Sequence, residues 1–99
     1  MSDSNETELH SMLLFQLLYQ FQSMAMMHLG KVENPVTKKI ERDLEQAKGA
    51  IELVRMLKEK TKGNLNGKES EFIEQILTNL QLNYADEAAK PNTPEEKKP

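Results

Sequence analysis

Two histidines, His10 and His28, stand near the ends of the stretch LHSMLLFQLLYQFQSMAMMHLG, Leu9 to Gly30. Imidazoles bind metals and move protons near neutral pH, so their spacing is the first chemical question. On one helix they share a face, yet at 1.5 Å per residue they stand about 27 Å apart and cannot share a metal within one chain. Histidine at the edge of a packed core is the simpler reading. The carboxylates of Glu41, Asp43 and Glu45 could face Mg²⁺, but a hard-cation site needs several convergent oxygens. A helix start enriched in negative charge explains them more directly. The sequence KTKGN has one glycine and follows a helical pattern, so it is no phosphate cradle.

Most catalytic chemistry lacks its parts. There is no HExxH, no glycine-rich phosphate loop and no GxSxG. Cysteine is absent, which removes disulfides, thiolate metal sites and cysteine nucleophiles. A cysteine-free chain fits a reducing, cytoplasmic setting. The start MSDSNETE is acidic and polar, without the basic opening or cleavage site of a secretory signal. Ser2 after Met1 is not a myristoylation start. We therefore expect a non-enzymatic, cytoplasmic protein with no cofactor, no catalytic residue and no metal ligand.

Basic residues cluster at Lys38, Lys39 and Arg42, and again from Arg55 to Lys62. Such clusters offer the simplest contact to nucleic-acid phosphates. Acidic residues interleave with them at Glu41, Asp43, Glu52 and Glu59, and the whole chain carries a net charge of −3. Solvated faces matched to helix dipoles account for the pattern, and weak nucleic-acid binding stays a disfavoured alternative.

The elements that would position these residues are helices. We expect a first helix over 6–29, with Asn5 and Glu8 forming a capping box and Gly30 ending it. KVENPVTKKIERD is too charged and irregular for a helix, and Asn34-Pro35 marks a turn. A second helix is expected over 44–62, capped by Asp43 and stopped by Gly63. Its apolar positions are Leu44, Ala47, Ala50, Ile51, Val54 and Leu57, widened by Leu53 and Met56. A third helix is expected over 67–84, with Asn66 and Glu69 as a capping box and Phe72, Ile73, Ile76, Leu77, Leu80 and Tyr84 on one face. Residues 1–5 are expected to be flexible. The proline-bearing charged tail over 85–99 is expected to be disordered, because it cannot bury enough to offset its ordering entropy.

The first helix carries the main functional expectation. Leu9 to Gly30 contains no Asp, Glu, Lys or Arg, and its length suits a membrane span. Seven of its residues are His, Gln or Ser, on several faces, and no basic flank marks an interface, so no span is expected. A helix apolar on nearly every side is one that is covered on nearly every side. Two neighbouring helices with one apolar face each cover only part of it, which leaves the rest for another chain.

One stripe sharpens this. His10, Leu14, Leu17, Phe21, Met24 and His28 recur at alternating steps of four and three, the seam used by helices packed lengthwise. In an antiparallel pair His10 would meet His28, Leu14 would meet Met24, and Leu17 would meet Phe21. Gln16, Gln20 and Ser23 form a polar stripe, read as solvent-facing rather than as a buried register lock. The methionines Met12, Met24, Met26 and Met27 suit core filling, and also a tolerant binding surface. The fold class expected is all-α, a three-helix chain forming an intertwined helical bundle by homodimerisation through the first helix. A homodimer is the favoured assembly. The alternative is an adaptor subunit whose first helix docks on a different, unidentified protein.

From Ser23 to Leu65 the sequence resembles a bacterial family of small helical proteins, domain of unknown function 1844. The resemblance rests on Leu29-Gly30, Asn34-Pro35, Asp43-Leu44, Ala47-Lys48, Ile51, Leu57 and above all the run Lys60-Thr61-Lys62-Gly63-Asn64-Leu65. It extends more weakly through the third helix. The family pattern often has a glycine near Lys38 and a bulky residue near Gly49, where this chain departs from it. The resemblance implies a bacterial, cytoplasmic, all-helical protein and supplies no activity, substrate or site residue.

Overall fold

The protein is described by a computed structural model over residues 3–90. Three helices follow in order: α1 (Asp3–His28), α2 (Leu44–Lys60) and α3 (Gly67–Ala88). Among the described residues there is no strand, only an isolated antiparallel bridge between Leu29 and Arg42. The fold is all-α.

Side-chain contacts give the direction of packing. Ser11 donates to the Glu69 carboxylate, Phe15 and Tyr19 meet the ring of Phe72, and Lys31 reaches Glu87. Both chains of residues run the same way, so α1 and α3 are parallel, and α2 returns antiparallel to each. The core joins all three helices through Leu18 and Ala25 of α1, Ala50, Ile51 and Val54 of α2, and Ile73, Ile76, Leu77 and Leu80 of α3. Ala47 and Ala50 are small and buried, which lets neighbouring helices approach closely.

Local chemistry explains where the elements begin and end. The Asp43 carboxylate accepts from the Gln46 N–H at 3.1 Å and caps α2. Asn66 and Glu69 make a reciprocal capping box at α3. Gly30, at φ +77°, closes α1 in the left-handed conformation: its N–H donates to Met27 O and the Lys31 N–H to Met26 O, the paired bonds of a Schellman end. A side chain at Gly30 would also press within 3.3 Å of Arg42 Cβ.

Four boundaries differ from expectation, the slightest being the end of α1, at His28 rather than 29. α1 begins at Asp3, so residues 3–5 are helical, and Asn5 lies inside the helix instead of capping it. The negative Glu6 and Glu8 near the helix start complement its dipole. α2 stops at Lys60 rather than 62: the Thr61 N–H still donates to Leu57 O, but the Lys62 N–H turns to Glu59 O at 3.3 Å, three residues back instead of four, and Gly63, at φ +90°, turns the chain beyond it. α3 continues past Tyr84 to Ala88, so residues 85–88 of the expected disordered tail are helical. Good helix formers extend it, and the buried Glu87 ties it down through ion pairs. Residues 1–2 and 91–99 of the expected flexible ends lie outside the described residues.

The connection from α1 to α2 is an ordered loop. Asn34 organises it: its side-chain oxygen accepts from the Val36 N–H at 2.8 Å, its N–H donates to Lys39 O, and its amide donates to Glu41. The Asp43 N–H donates to His28 O and returns the chain beside the end of α1. Lys38 sits at φ +64°, where a side chain is strained and glycine is not. This gives a backbone reason for the glycine that the related pattern carries near here. Lys38→Gly should therefore raise stability by about 1 kcal/mol, read as a higher thermal midpoint. A fall in midpoint would show that the Lys38 side chain contributes more than its backbone costs.

Candidate interaction surface

α1 meets its neighbours with the face centred on Leu18 and Ala25, both fully buried. On one side of that face Phe15 and Tyr19 stack edge-on against Phe72, with ring centroids 4.8 and 5.3 Å apart. α2 and α3 cover no more than this part of the helix. Around the remainder Leu9, Met12, Leu13, Leu17 and Met24 stay exposed, Met12 at 66% and Leu13 at 51%. Leu9, Leu13 and Leu17 follow one another at helical spacing, so they form a continuous apolar row. Gln16, Gln20 and Ser23 are exposed on the same broad side.

The six residues of the sequence seam divide between two environments. Leu14 and Phe21 are half-buried and pack against the core. Leu17 and Met24 are each 39% exposed. His10 is exposed and His28 half-buried, at opposite ends of the row. The seam therefore runs along the edge where α1 leaves the bundle, roughly 80° around the helix from Leu18 and Ala25. Leu9, Met12 and Leu13 extend the exposed surface beyond the seam. Their signal in the sequence was the all-round apolarity of the helix, which periodicity alone does not resolve into faces.

Apolar side chains are exposed elsewhere in smaller groups. Val32, Val36 and Ile40 stand on the α1–α2 loop, Leu53 and Met56 on α2, and Leu82 on α3. An open groove between α2 and α3 has a volume near 510 Å³, and its rim of Glu52, Arg55, Lys58, Glu59 and Glu74 is charged. Two of those cations are paired, Arg55 with Glu52 at 3.4 Å and Lys58 with Glu74 at 2.6 Å. Glu41 accepts from Asn34 and Thr37, and Asp43 caps α2, so these carboxylates have structural partners. Among the described residues no three His, Asp or Glu side chains group as a metal site.

A polar cluster that the sequence did not reveal locks the loop to α3. Glu87 is buried and pairs with Lys31 at 2.7 Å, Lys90 at 2.8 Å and the Arg42 guanidinium at 3.5 Å. Lys31 also reaches Asp86 at 3.0 Å. The bonds from Lys31 and then Lys90 hold the Glu87 carboxyl below its ordinary value, against the opposing effect of burial. Lys31 holds Asp86 down likewise, and Glu87 followed by Asp86 pushes Lys31 up. The Ser11 hydroxyl, then the Asn66 N–H, hold Glu69 down.

These shifts set a pH window. Depressed carboxyls contribute stability that is complete above their ordinary values, near 4.5 for Glu, and is lost as pH falls through their lower folded values. A raised lysine contributes stability that is complete below its ordinary 10.5 and is lost as pH rises through its folded value. On account of these pairs the thermal midpoint, taken at fixed protein concentration, should fall below the lower limit and above the upper one. Glu87→Gln should make the acid limb shallower. An acid limb unchanged in that variant would remove Glu87 from the account.

Fold and surface together define a small three-helix protein whose first helix is only partly covered by the other described residues. The chain belongs to the family described as Domain of unknown function (DUF1844), whose pattern matches residues 10–86. The match takes in all of the candidate seam and the loop, and nearly all of α3. No curated protein and no solved structure matches the chain. Among the described residues no helix is long and apolar enough to cross a membrane.

Proposed function

We propose that this is a non-enzymatic interaction module of the bacterial cytoplasm that self-associates through α1, most simply as a two-fold dimer. The observation that carries this reading is the apolar row Leu9, Leu13, Leu17, continued by Met24, left open on a helix whose opposite face is fully packed. Contiguous exposed apolar surface on a small chain marks an association site. The seam at its edge supplies self-complementary spacing, and closed two-fold pairs are the commonest assemblies.

Absolute mass by light scattering across a dilution series tests it. A dimer mass that falls towards the monomer on dilution is the expected result. A monomer at every concentration would overturn self-association and direct the same surface to a different protein.

A further inference from the structure

The first two turns of α1 project beyond the bundle. Ser11 stands opposite Glu69, close to the start of α3 at Gly67, so residues 3–10 extend past α3 by roughly 10 Å. Asn5 to His10 are all exposed, Leu9 among them. Burial against a second copy would add order to such an exposed helix end.

At the other end of α1 the loop offers a matching surface. It is held in shape by the Asn34 bonds and by the Leu29–Arg42 bridge. It exposes Val32, Val36 and Ile40, Val36 at 86%. The charges of the two regions are complementary. Glu6 stands exposed on the overhang on the seam's side of α1, Lys38 and Lys39 on the loop, and none of the three makes an ion pair with a described residue; Glu8 is exposed too but lies about 160° around the helix from the seam, towards α3. Of the loop's acids, Glu41 is engaged by Asn34 and Thr37, while Glu33 is exposed and partly offsets the lysines.

Resting on the self-association proposed above, we infer that the second copy lies antiparallel, so that the acidic overhang of each α1 seats on the basic, apolar loop of the other copy. The seam register that sets His10 against His28 and Leu17 against Phe21 centres the two-fold axis near residue 19. Continued outward, it carries residues 5–9 of one copy to residues 29–33 and the adjoining loop of the other. A parallel pair would instead set acidic end against acidic end and lysine loop against lysine loop, which like-charge repulsion disfavours.

Charge reversal and one distance test this on the full chain. Glu6→Lys should weaken the dimer about tenfold at low salt through its two symmetric contacts, as should Lys38→Glu with Lys39→Glu, and the triple variant should recover, while Glu8→Lys, on the side facing α3, should leave the dimer unchanged. The chain has no cysteine, so a spin label at Thr7→Cys is unique. The two labels should sit about 36 Å apart along the helix in the antiparallel pair, against about 10 Å in a parallel one. A dimer with the short distance, or one indifferent to both reversals, would overturn this arrangement and leave self-association standing. A chain that is monomeric throughout would overturn both.

Discussion

Leu18→Ala should cost about 3–5 kcal/mol of unfolding free energy, the largest loss expected of any single truncation in this protein. Leu18 is fully buried in the middle of α1 and belongs to the cluster that joins all three helices. Removing its side chain forfeits the transfer energy of the lost carbons. It also leaves a cavity that three helices cannot close without moving Ala25, Val54 and Leu80, each already fully buried. A domain of this size has only about 5–15 kcal/mol in total, so the variant stands near the edge of folding. Urea unfolding should show a lower midpoint with an unchanged slope, since the surface exposed on unfolding is the same. Leu82→Ala is the control. Leu82 is 67% exposed, and its truncation should change stability by no more than about 0.5 kcal/mol. Equal losses in the two variants would show that the core is not centred on Leu18.

The second large effect separates assembly from folding. Leu17 and Phe21 are neighbours on the sequence seam, and the sequence treats them alike. The structure does not. Leu17 projects from the bundle, whereas Phe21 packs against the core. Leu17→Glu should leave the helical content and cooperative unfolding of the protomer intact and convert the proposed dimer to a monomer, because a charge at the seam would be buried without a partner. A weakening of at least a hundredfold in the dimer constant is expected, corresponding to about 2.7 kcal/mol or more. Phe21→Glu should instead damage the protomer itself, with loss of cooperative unfolding. Circular dichroism melts read beside absolute mass distinguish the two. A Leu17→Glu protein that is folded and still dimeric would place the interface away from α1.

Much of the architecture could be read from local chemistry. Asp43 and Asn66 cap α2 and α3 because a short polar side chain satisfies orphan N–H groups within its own turn, and no distant residue is needed. Gly30 and Gly63 are legible for the same reason, since a positive φ is a property of one residue. The burial of Ala47, Ala50, Ile51 and Val54, and of Ile73, Ile76, Leu77 and Leu80, follows from helical periodicity on amphipathic segments.

The first helix shows where that reading stops. Its apolar residues point in nearly all directions, so periodicity could not say which of them α2 and α3 would take. Packing chose Leu18, Ala25 and their neighbours, drew Leu14 and Phe21 partly inward, and left Leu9, Met12, Leu13 and Leu17 outside. The end of α3 was hidden for a different reason. Glu87 sits among alanines and charges that resemble the start of a disordered tail. Its order depends on Lys31 and Arg42, which are far away in the chain and are brought to it by the loop.

Helix number, helix type, most caps and the buried stripes of α2 and α3 were written in the sequence, because each depends on residues within a turn or two of one another. The face that α1 turns inward, the row it leaves open, the overhang beyond α3 and the anchoring of Glu87 were settled only by tertiary structure. Each of these depends on which distant side chains compete for the same space, and no local pattern encodes that competition.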